Sequence, residues 1–339
     1  MATVKVNSVF TTKAANGDLQ KHYLATNTAM IADAGQPNGV PTLDANGNLV
    51  QMPTLAQVGG SNKNLLHNAY WTIQSAIVNQ RTLTVFNSSG YSIDRWVFDR
   101  YGTGTLSVTN DGLVLTAVGN TSRIRQPLEN WAELSTVTLS IICKDVVGAN
   151  RIEISAKVAG AWVTVGGTDV LTAGVAFCTG LIPSDTTELY ALIITQPAGS
   201  IKLLAAKLEH GSNSTIENDP PPDPQQELAK CQRFFEVLKP GYYGRLATIV
   251  AFDAINAYGI IPITPKRTNP AIAYLEGDVT KLYLNQGSTY TPLTSLELVQ
   301  MHNNYIFIKV QVASGLTANA SYVLRGKEGT VVIALDSSL

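Results

Sequence analysis

Residues 207–238 read KLEHGSNSTIENDPPPDPQQELAKCQRFFEVL, and the architecture of the chain turns on them. A strand-rich text closes at the left end, prolines interrupt it at Pro220, Pro221, Pro222 and Pro224, and a helix opens before a second strand-rich text begins. The start of that helix is set by side-chain chemistry. Asp223 can accept a bond from an unpaired first-turn amide, Pro224 has its φ already fixed for the first helical position, and Gln226 stands three residues after the cap. Leu228, Cys231, Phe235 and Leu238 then recur every three or four residues, so one apolar stripe is expected until Pro240-Gly241 ends the run.

To the left, residues 64–215 alternate with the period of half-buried strands. Ile152, Ile154, Ala156 and Val158 alternate with Glu153, Ser155 and Lys157; Val137, Leu139 and Ile141 repeat the pattern, as do Val163 with Val165 and Tyr190, Leu192 and Ile194. Turn signals such as Asn110-Asp111-Gly112 and Gly166-Gly167 separate the runs at the intervals of a sandwich. An antiparallel β-sandwich, a jelly roll, is expected.

To the right, residues 241–339 offer strands at 246–252, 258–263, 279–284, 305–312, 322–325 and 330–335, with a hairpin loop at Gly326-Lys327-Glu328-Gly329 and a turn at Asn285-Gln286-Gly287. Ile306, Ile308, Val310 and Val312 form the cleanest alternating face. A second, smaller β-sandwich is expected, laid against the helix stripe. Residues 1–63 differ from the rest: apolar residues are thinly spread, and the alternating pieces at 4–10 and 48–52 can form strands only if something covers them. The chain therefore reads as all-β in four parts: an extended N-terminal segment (1–63), a jelly roll (64–215), a Pro-rich linker with its helix (216–240) and a C-terminal β-domain (241–339).

Composition narrows the function. Of 339 residues 45% are hydrophobic and 14% charged, and 24 Lys plus Arg nearly balance 25 Asp plus Glu, so the cores are ample and an electrostatic grip on nucleic acid is not expected. Cys143, Cys178 and Cys231 lie far apart in apolar contexts and read as buried thiols. No charged-then-apolar leader opens the sequence and no run of about eighteen apolar residues occurs, so no membrane insertion is expected and folding in a cytoplasm is.

Two groups of motifs carry a resemblance. GQPNGVPTLDANGNLVQMP, residues 35–53, resembles the "NGV-x-x-LDANG" segment of bacteriophage tail fibre and tail spike proteins, where it lies in the thin, intertwined region between the virion and the receptor-binding end. The second group covers about 150 residues: Asn64 to Leu66, Gln80-Arg81, Asp94 to Trp96, Leu208-Glu209-x-Gly211 and Leu228 to Phe235. In order and spacing these are similar to the carbohydrate-binding-module-like jelly roll of phage tail fibres, with its "NLL-N", "QR", "DRW", "QLE-x-G" and "LALCQRYF". The chain departs from that pattern where relatives carry "TPF-E-R", having STIENDPPPDP instead. The resemblance implies a tail fibre or tail-tip receptor-binding protein of the virion, assembled in the host cytoplasm. It further implies a homotrimer whose residues 1–63 meet other tail and baseplate proteins.

Chemistry in the residues themselves favours binding over catalysis. His22, His67, His210 and His302 show no metal-ligand spacing. Asp44, Asn46 and Asn48 have the first ligand spacings of a calcium loop, but Leu49 and Leu55 stand where its Gly and Glu belong. Neither a metal nor a cofactor is expected. A glycan hydrolase would need two carboxylates across a sugar; Asp94 with Asp99 and Glu129 with Glu133 are the candidates, and each reads more simply as structural. A host-surface glycan can be read without cleavage, by aromatic faces and polar side chains. The outward candidates are Trp162, Tyr242, Tyr243, Tyr283 and Tyr290, while Trp71, Trp96 and Trp131 read as core. A baseplate or connector subunit that binds no sugar is the structural alternative.

Overall fold

The computed structural model describes residues 9–13, 19–23, 61–72, 76–129, 131, 135–240, 244–326 and 332–337. Contacts divide the chain into two units, 1–58 and 59–339. In the first, β1 (Val9–Lys13) and β2 (Leu19–Tyr23) pair antiparallel, with Val9 opposite Tyr23. Of the alternating piece at 4–10 only the last two residues fall in a described strand; the piece at 48–52 and the turn-rich segment 35–53 lie outside the described residues.

The second unit opens with an antiparallel sandwich. Its strands are β3 (Val85–Phe86), β4 (Gly90–Tyr91), β5 (Val97–Arg100), β6 (Leu106–Thr109), β7 (Gly112–Thr116), β8 (Ser122–Pro127), β9 (Thr136–Val147), β10 (Asn150–Val158), β11 (Ala161–Val170), β12 (Gly174–Leu181), β13 (Thr186–Thr195) and β14 (Ser200–His210). Two six-stranded sheets result, ordered β11-β10-β13-β8-β5-β4 and β12-β9-β14-β7-β6-β3. The core between them takes Val137, Leu139 and Ile141 from one sheet and Ile152, Ile154 and Ala156 from the other, the faces their alternation predicts. Trp71 and Trp96 are fully buried, edge to face at 5.2 Å. At one side the edge strands of the two sheets approach so closely that a Cβ on Gly166 would lie 2.6 Å from the Thr179 carbonyl oxygen, a contact only glycine permits.

Strand β13 corrects one expectation. Its core residues are Leu189, Ala191 and Ile193, whereas Tyr190, Leu192 and Ile194 lie on the opposite face. Both faces of this strand are apolar, so period alone does not say which points inward.

The linker forms α1 (Pro224–Gln232), capped at Asp223, whose carboxylate accepts from the Gln225 amide at 2.8 Å. The helix is shorter than its spacing predicts: Phe235 and Leu238 belong to a strand, β15 (Phe235–Leu238). Phe-Phe-Glu-Val-Leu suits a pleated surface, and a ladder partner late in the chain outweighs the helical spacing. Nor does an apolar stripe face the terminal domain. The buried residues of α1 are Glu227 and Cys231, Glu227 accepts from the Asn68 amide at 2.8 Å, and Leu228 is exposed. The helix is thus anchored on the sandwich. Among the described residues no helix is long and apolar enough to cross a membrane.

The C-terminal strands are β16 (Arg245–Ala251), β17 (Asn256–Pro262), β18 (Ala271–Glu276), β19 (Leu282–Gln286), β20 (Thr289–Met301), β21 (Tyr305–Val312), β22 (Ser321–Gly326) and β23 (Val332–Asp336). Where a small sandwich is expected, six of them close into an antiparallel barrel, β16-β17-β21-β20-β19-β22, and β15-β23-β18 form a separate sheet. Closure removes the unpaired edges a small sandwich would leave. Ile306, Ile308, Val310 and Val312 fill the barrel core as predicted, and Ile333 and Leu335 of the small sheet join the same cluster. Strand β20 escapes sequence reading because register shifts at Leu293/Ser295 and Leu298/Gln300 break its alternation. The loop expected at 326–329 lies, after Gly326, outside the described residues.

The motif pieces gather into two buried polar clusters. Asn68 donates to the Val78 and Asp94 carbonyls at 2.7 and 2.9 Å, while its own carbonyl accepts both buried indole N–H groups, of Trp71 and Trp96. Gln80 donates to the Asp94 carboxylate and to the Phe235 carbonyl, at 2.8 and 2.7 Å. Asn64 bonds the β14 backbone at Ala206 and Leu208. Below it the fully buried Lys207 meets Asp219 and Thr215, and Glu209 accepts from the Thr215 amide at 2.7 Å. Asn68, Gln80, Lys207 and Glu209 are thereby each matched by a partner, which is the condition for burying such groups.

Candidate functional site

The outer face of the sheet β11-β10-β13-β8-β5-β4 carries aromatic and charged side chains side by side. Its pleat sends Lys157 and Ser155 of β10, Glu188 and Tyr190 of β13, and Arg123 and Arg125 of β8 to the same side as Trp162 of β11. Lys157 stands opposite Trp162 on one side and Glu188 on the other; Ser155 stands opposite Tyr190; Arg125 lies between Leu192 and Val97.

Two grooves meet on this face. One of about 600 Å³ runs over Trp162, Tyr190 and Leu192. A second, of about 970 Å³, continues from Tyr190, Glu188 and Arg125 past Tyr91 and Trp131 to Arg95, Arg233 and Arg267, and so is walled by the sandwich, the end of the helix and a loop of the terminal region. Trp162 stacks on Tyr190 with centroids 4.5 Å apart and planes 27° from parallel, and with 46% exposure it leaves an aromatic face to solvent. The Arg125 guanidinium lies 4.7 Å from the Tyr190 centroid and the Lys157 ammonium 5.8 Å from that of Trp162.

Ion pairs set the geometry of the polar groups. Asp99 accepts from Arg123 and Arg125, both at 2.8 Å, and Glu188 from Lys157 at 2.6 Å. The Lys157 bond holds the Glu188 carboxyl below its ordinary range, and burial pushes the Tyr190 phenol up. These side chains present fixed donors and acceptors beside an aromatic platform, the equipment for reading sugar hydroxyls and C–H faces.

Of the residues singled out in the sequence, Trp162 stands on this face. Tyr283 is only 5% exposed, so the outward position expected of it is not met; its ring packs edge-on to Tyr290 at 5.1 Å. Tyr290 is exposed, but on the barrel and away from these grooves' linings. Tyr242 and Tyr243 lie outside the described residues. Trp71 and Trp96 are core as read, whereas Trp131 packs at the core's margin and also lines the larger groove. The sequence reading missed Tyr190, Tyr91, Arg95 and Arg125; the basic residues alternating along Ser122–Pro127 were the one available signal for Arg125.

The carboxylates weighed for hydrolysis have structural partners. Asp94 pairs with Arg81 at 2.9 Å rather than with its neighbour Arg95, Asp99 is held as above, and Glu129 accepts from Arg267 at 2.9 Å. Glu133 lies outside the described residues. Burial pushes the Asp94 carboxyl up to about 6 even though Arg81 and Gln80 pull it down. Among the described residues no cluster of His, Cys, Asp and Glu is arranged to hold a metal. The three cysteines are buried and unbridged, and burial pushes the Cys178 thiol up to about 12.

No protein-family model matches the chain, and no curated protein does. The solved structures to which it is similar include carbohydrate-binding modules. The family 22 module of Clostridium thermocellum Xyn10B is 14% identical with a TM-score of 0.30, over 38% of this chain and 98% of that one. A family 4 module is 17% identical with a TM-score of 0.29, over 35% of this chain and 88% of that one. The family 11 module of Clostridium thermocellum, solved with a mixed-linked β-1,3-1,4 tetrasaccharide, is 9% identical with a TM-score of 0.26, over 39% and 97%.

Proposed function

We propose that this chain is a non-catalytic glycan-binding protein of a bacteriophage tail fibre, displayed at the virion tail to recognise a host-surface glycan. In this reading residues 1–63 attach the fibre to other tail proteins and intertwine in a homotrimer, and the sandwich reads the sugar. The observation that carries glycan binding is the Trp162–Tyr190 stack, open to solvent and bordered by Arg125, Lys157 and Glu188 in fixed ion pairs. A stacked, half-exposed tryptophan on a sheet face costs solvation and offers no core packing in return, which suits a platform for a ligand. The tail-fibre part rests on the ordered motifs.

The test is binding of the full chain to a glycan array and to host cells before and after periodate oxidation of surface sugars. Saturable binding that oxidation removes, and that Trp162→Ala weakens at least tenfold, is expected. Binding that survives oxidation, or none at all, overturns the glycan reading. Mass determination in solution is expected to give a trimer, and a stable monomer overturns that part.

A further inference from the structure

The larger groove holds more positive charge than its own carboxylates match. Glu129 is taken by Arg267 and Glu188 by Lys157, while Arg125 is paired with Asp99. Arg95 and Arg233 remain, and neither has a carboxylate partner among the described residues. Arg95 is the deciding group. It is 4% exposed, its guanidinium carbon sits 3.4 Å from the centroid of the Phe234 ring, one terminal nitrogen donates to the Pro127 carbonyl at 3.0 Å, and its Nε has no hydrogen-bond partner. Its backbone is left-handed, with φ at 73°, a conformation held only where the surroundings enforce it. Burial pulls its pKa down to about 10, which leaves it a cation at neutrality. The Arg233 guanidinium carbon also lies near the Phe234 ring, 5.8 Å from its centroid, with an exposed side chain. An adjoining depression of about 270 Å³ shares Arg95 and Arg233 and adds Lys63 and His67.

The Glu129 charge offsets part of the burial of Arg95, but it is bonded to Arg267; a buried guanidinium with no carboxylate in contact is destabilising, and an anion arriving in the groove relieves it. We propose that the Arg95–Arg233 end of the groove takes the carboxylate of an acidic sugar, with neighbouring sugar rings continuing over Tyr190 and Trp162. This rests on the glycan reading above and names its ligand class. A planar guanidinium matches a carboxylate with two parallel N–H donors, and the ring beneath Arg95 and the Pro127 carbonyl fix its plane beforehand. A neutral sugar would leave the charge unmatched, so the groove discriminates by the penalty it imposes on the wrong ligand.

The experiment is calorimetric titration of the full chain with oligosaccharides containing glucuronate, galacturonate or N-acetylneuraminate. Each is paired with its carboxyl-reduced form, beside neutral sugars carrying sulfate or phosphate. At least one acidic member is expected to bind tenfold or more tighter than its reduced partner, with an affinity that falls as salt rises. Arg233→Gln, at an exposed position, is expected to remove that preference, and Trp162→Ala to weaken both members of the pair. Equal binding within every pair, or a preference that survives Arg233→Gln, overturns this inference and leaves glycan binding standing. Tighter binding of the sulfated or phosphorylated sugars than of any carboxylate also overturns it. Failure of every saccharide, acidic or neutral, overturns both readings together.

Discussion

Arg81 donates to Asp94 across 2.9 Å, with side-chain exposures of 11% and 0%. The same guanidinium carbon rests 3.6 Å from the centroid of Phe235, so the pair joins a loop of the sandwich to the first strand beyond the helix. Asp94→Ala leaves that cation buried against a ring with only the more distant Asp336 to answer it, at 4.0 Å. A loss of about 3–5 kcal/mol is expected on removing one partner of such a pair. Denaturant unfolding checks it, and a loss below about 1 kcal/mol would mean that this polar cluster does not hold the fold.

Trp162 and Tyr190 are placed to act on ligand rather than on stability. Trp162→Ala and Tyr190→Ala should each weaken glycan binding by about ten- to a hundredfold, the scale of a truncated aromatic anchor. Tyr290→Ala, on the barrel, should leave binding within about twofold on this scale. Titration of the three variants decides the matter, and an equal effect of Tyr290→Ala would move the site off the sandwich.

Two buried groups bend the pH profile in opposite directions. Burial and Arg95 lower the His67 imidazole from 6.5 to about 4, so the unfolded chain binds that proton more tightly; the stability His67 contributes is complete above 6.5 and is lost as pH falls through 4. Burial raises Asp94 from 3.8 to about 6, so the part of the stability linked to its protonation is complete below 3.8 and is lost as pH rises through 6. Each effect is on the order of 3 kcal/mol, and between pH 4 and 6 they oppose one another. The native chain should show a nearly flat stability there, and His67→Gln one that declines with rising pH. Unfolding curves at unit steps of pH test this, and parallel profiles for the two proteins would contradict it.

Asp223 caps α1 through the Gln225 amide. Asp223→Ala should cost about 1 kcal/mol and Asp223→Asn much less, since the amide oxygen also accepts. Equal losses in thermal unfolding would show that the carboxylate charge matters and the hydrogen bond does not.

The core-facing residues at 137–141, 152–156 and 306–312 were legible because one face of each strand is apolar and the other carries polar side chains, even where, as at Thr138 and Ser140, that second face is buried too. That signal fails at β13, where Leu189, Ala191 and Ile193 face the core while Tyr190, Leu192 and Ile194 floor a groove. It fails again in β20, whose bulges reset the alternation, and at Phe235, whose helical spacing is real but whose strand partner lies about a hundred residues later. Barrel and sandwich strands share one period, so closure could not be read from it. The candidate site gathers Arg95, Arg125, Tyr190, Arg233 and Arg267 from distant parts of the chain, and only Trp162 was recognised beforehand, by its place opposite an apolar face.

The middle strand of the small sheet is β23, and its two neighbours, β15 and β18, are made much earlier. On the ribosome β15 waits for roughly a hundred further residues, about 5–20 s of synthesis, before its partner emerges. During that interval Phe235 and Val237 have no ladder to enter, although every strand of the sandwich that anchors the preceding helix has already been made. A nascent chain stalled in this window exposes an unpaired strand beside a domain already synthesised, which is the form a chaperone or a protease would meet.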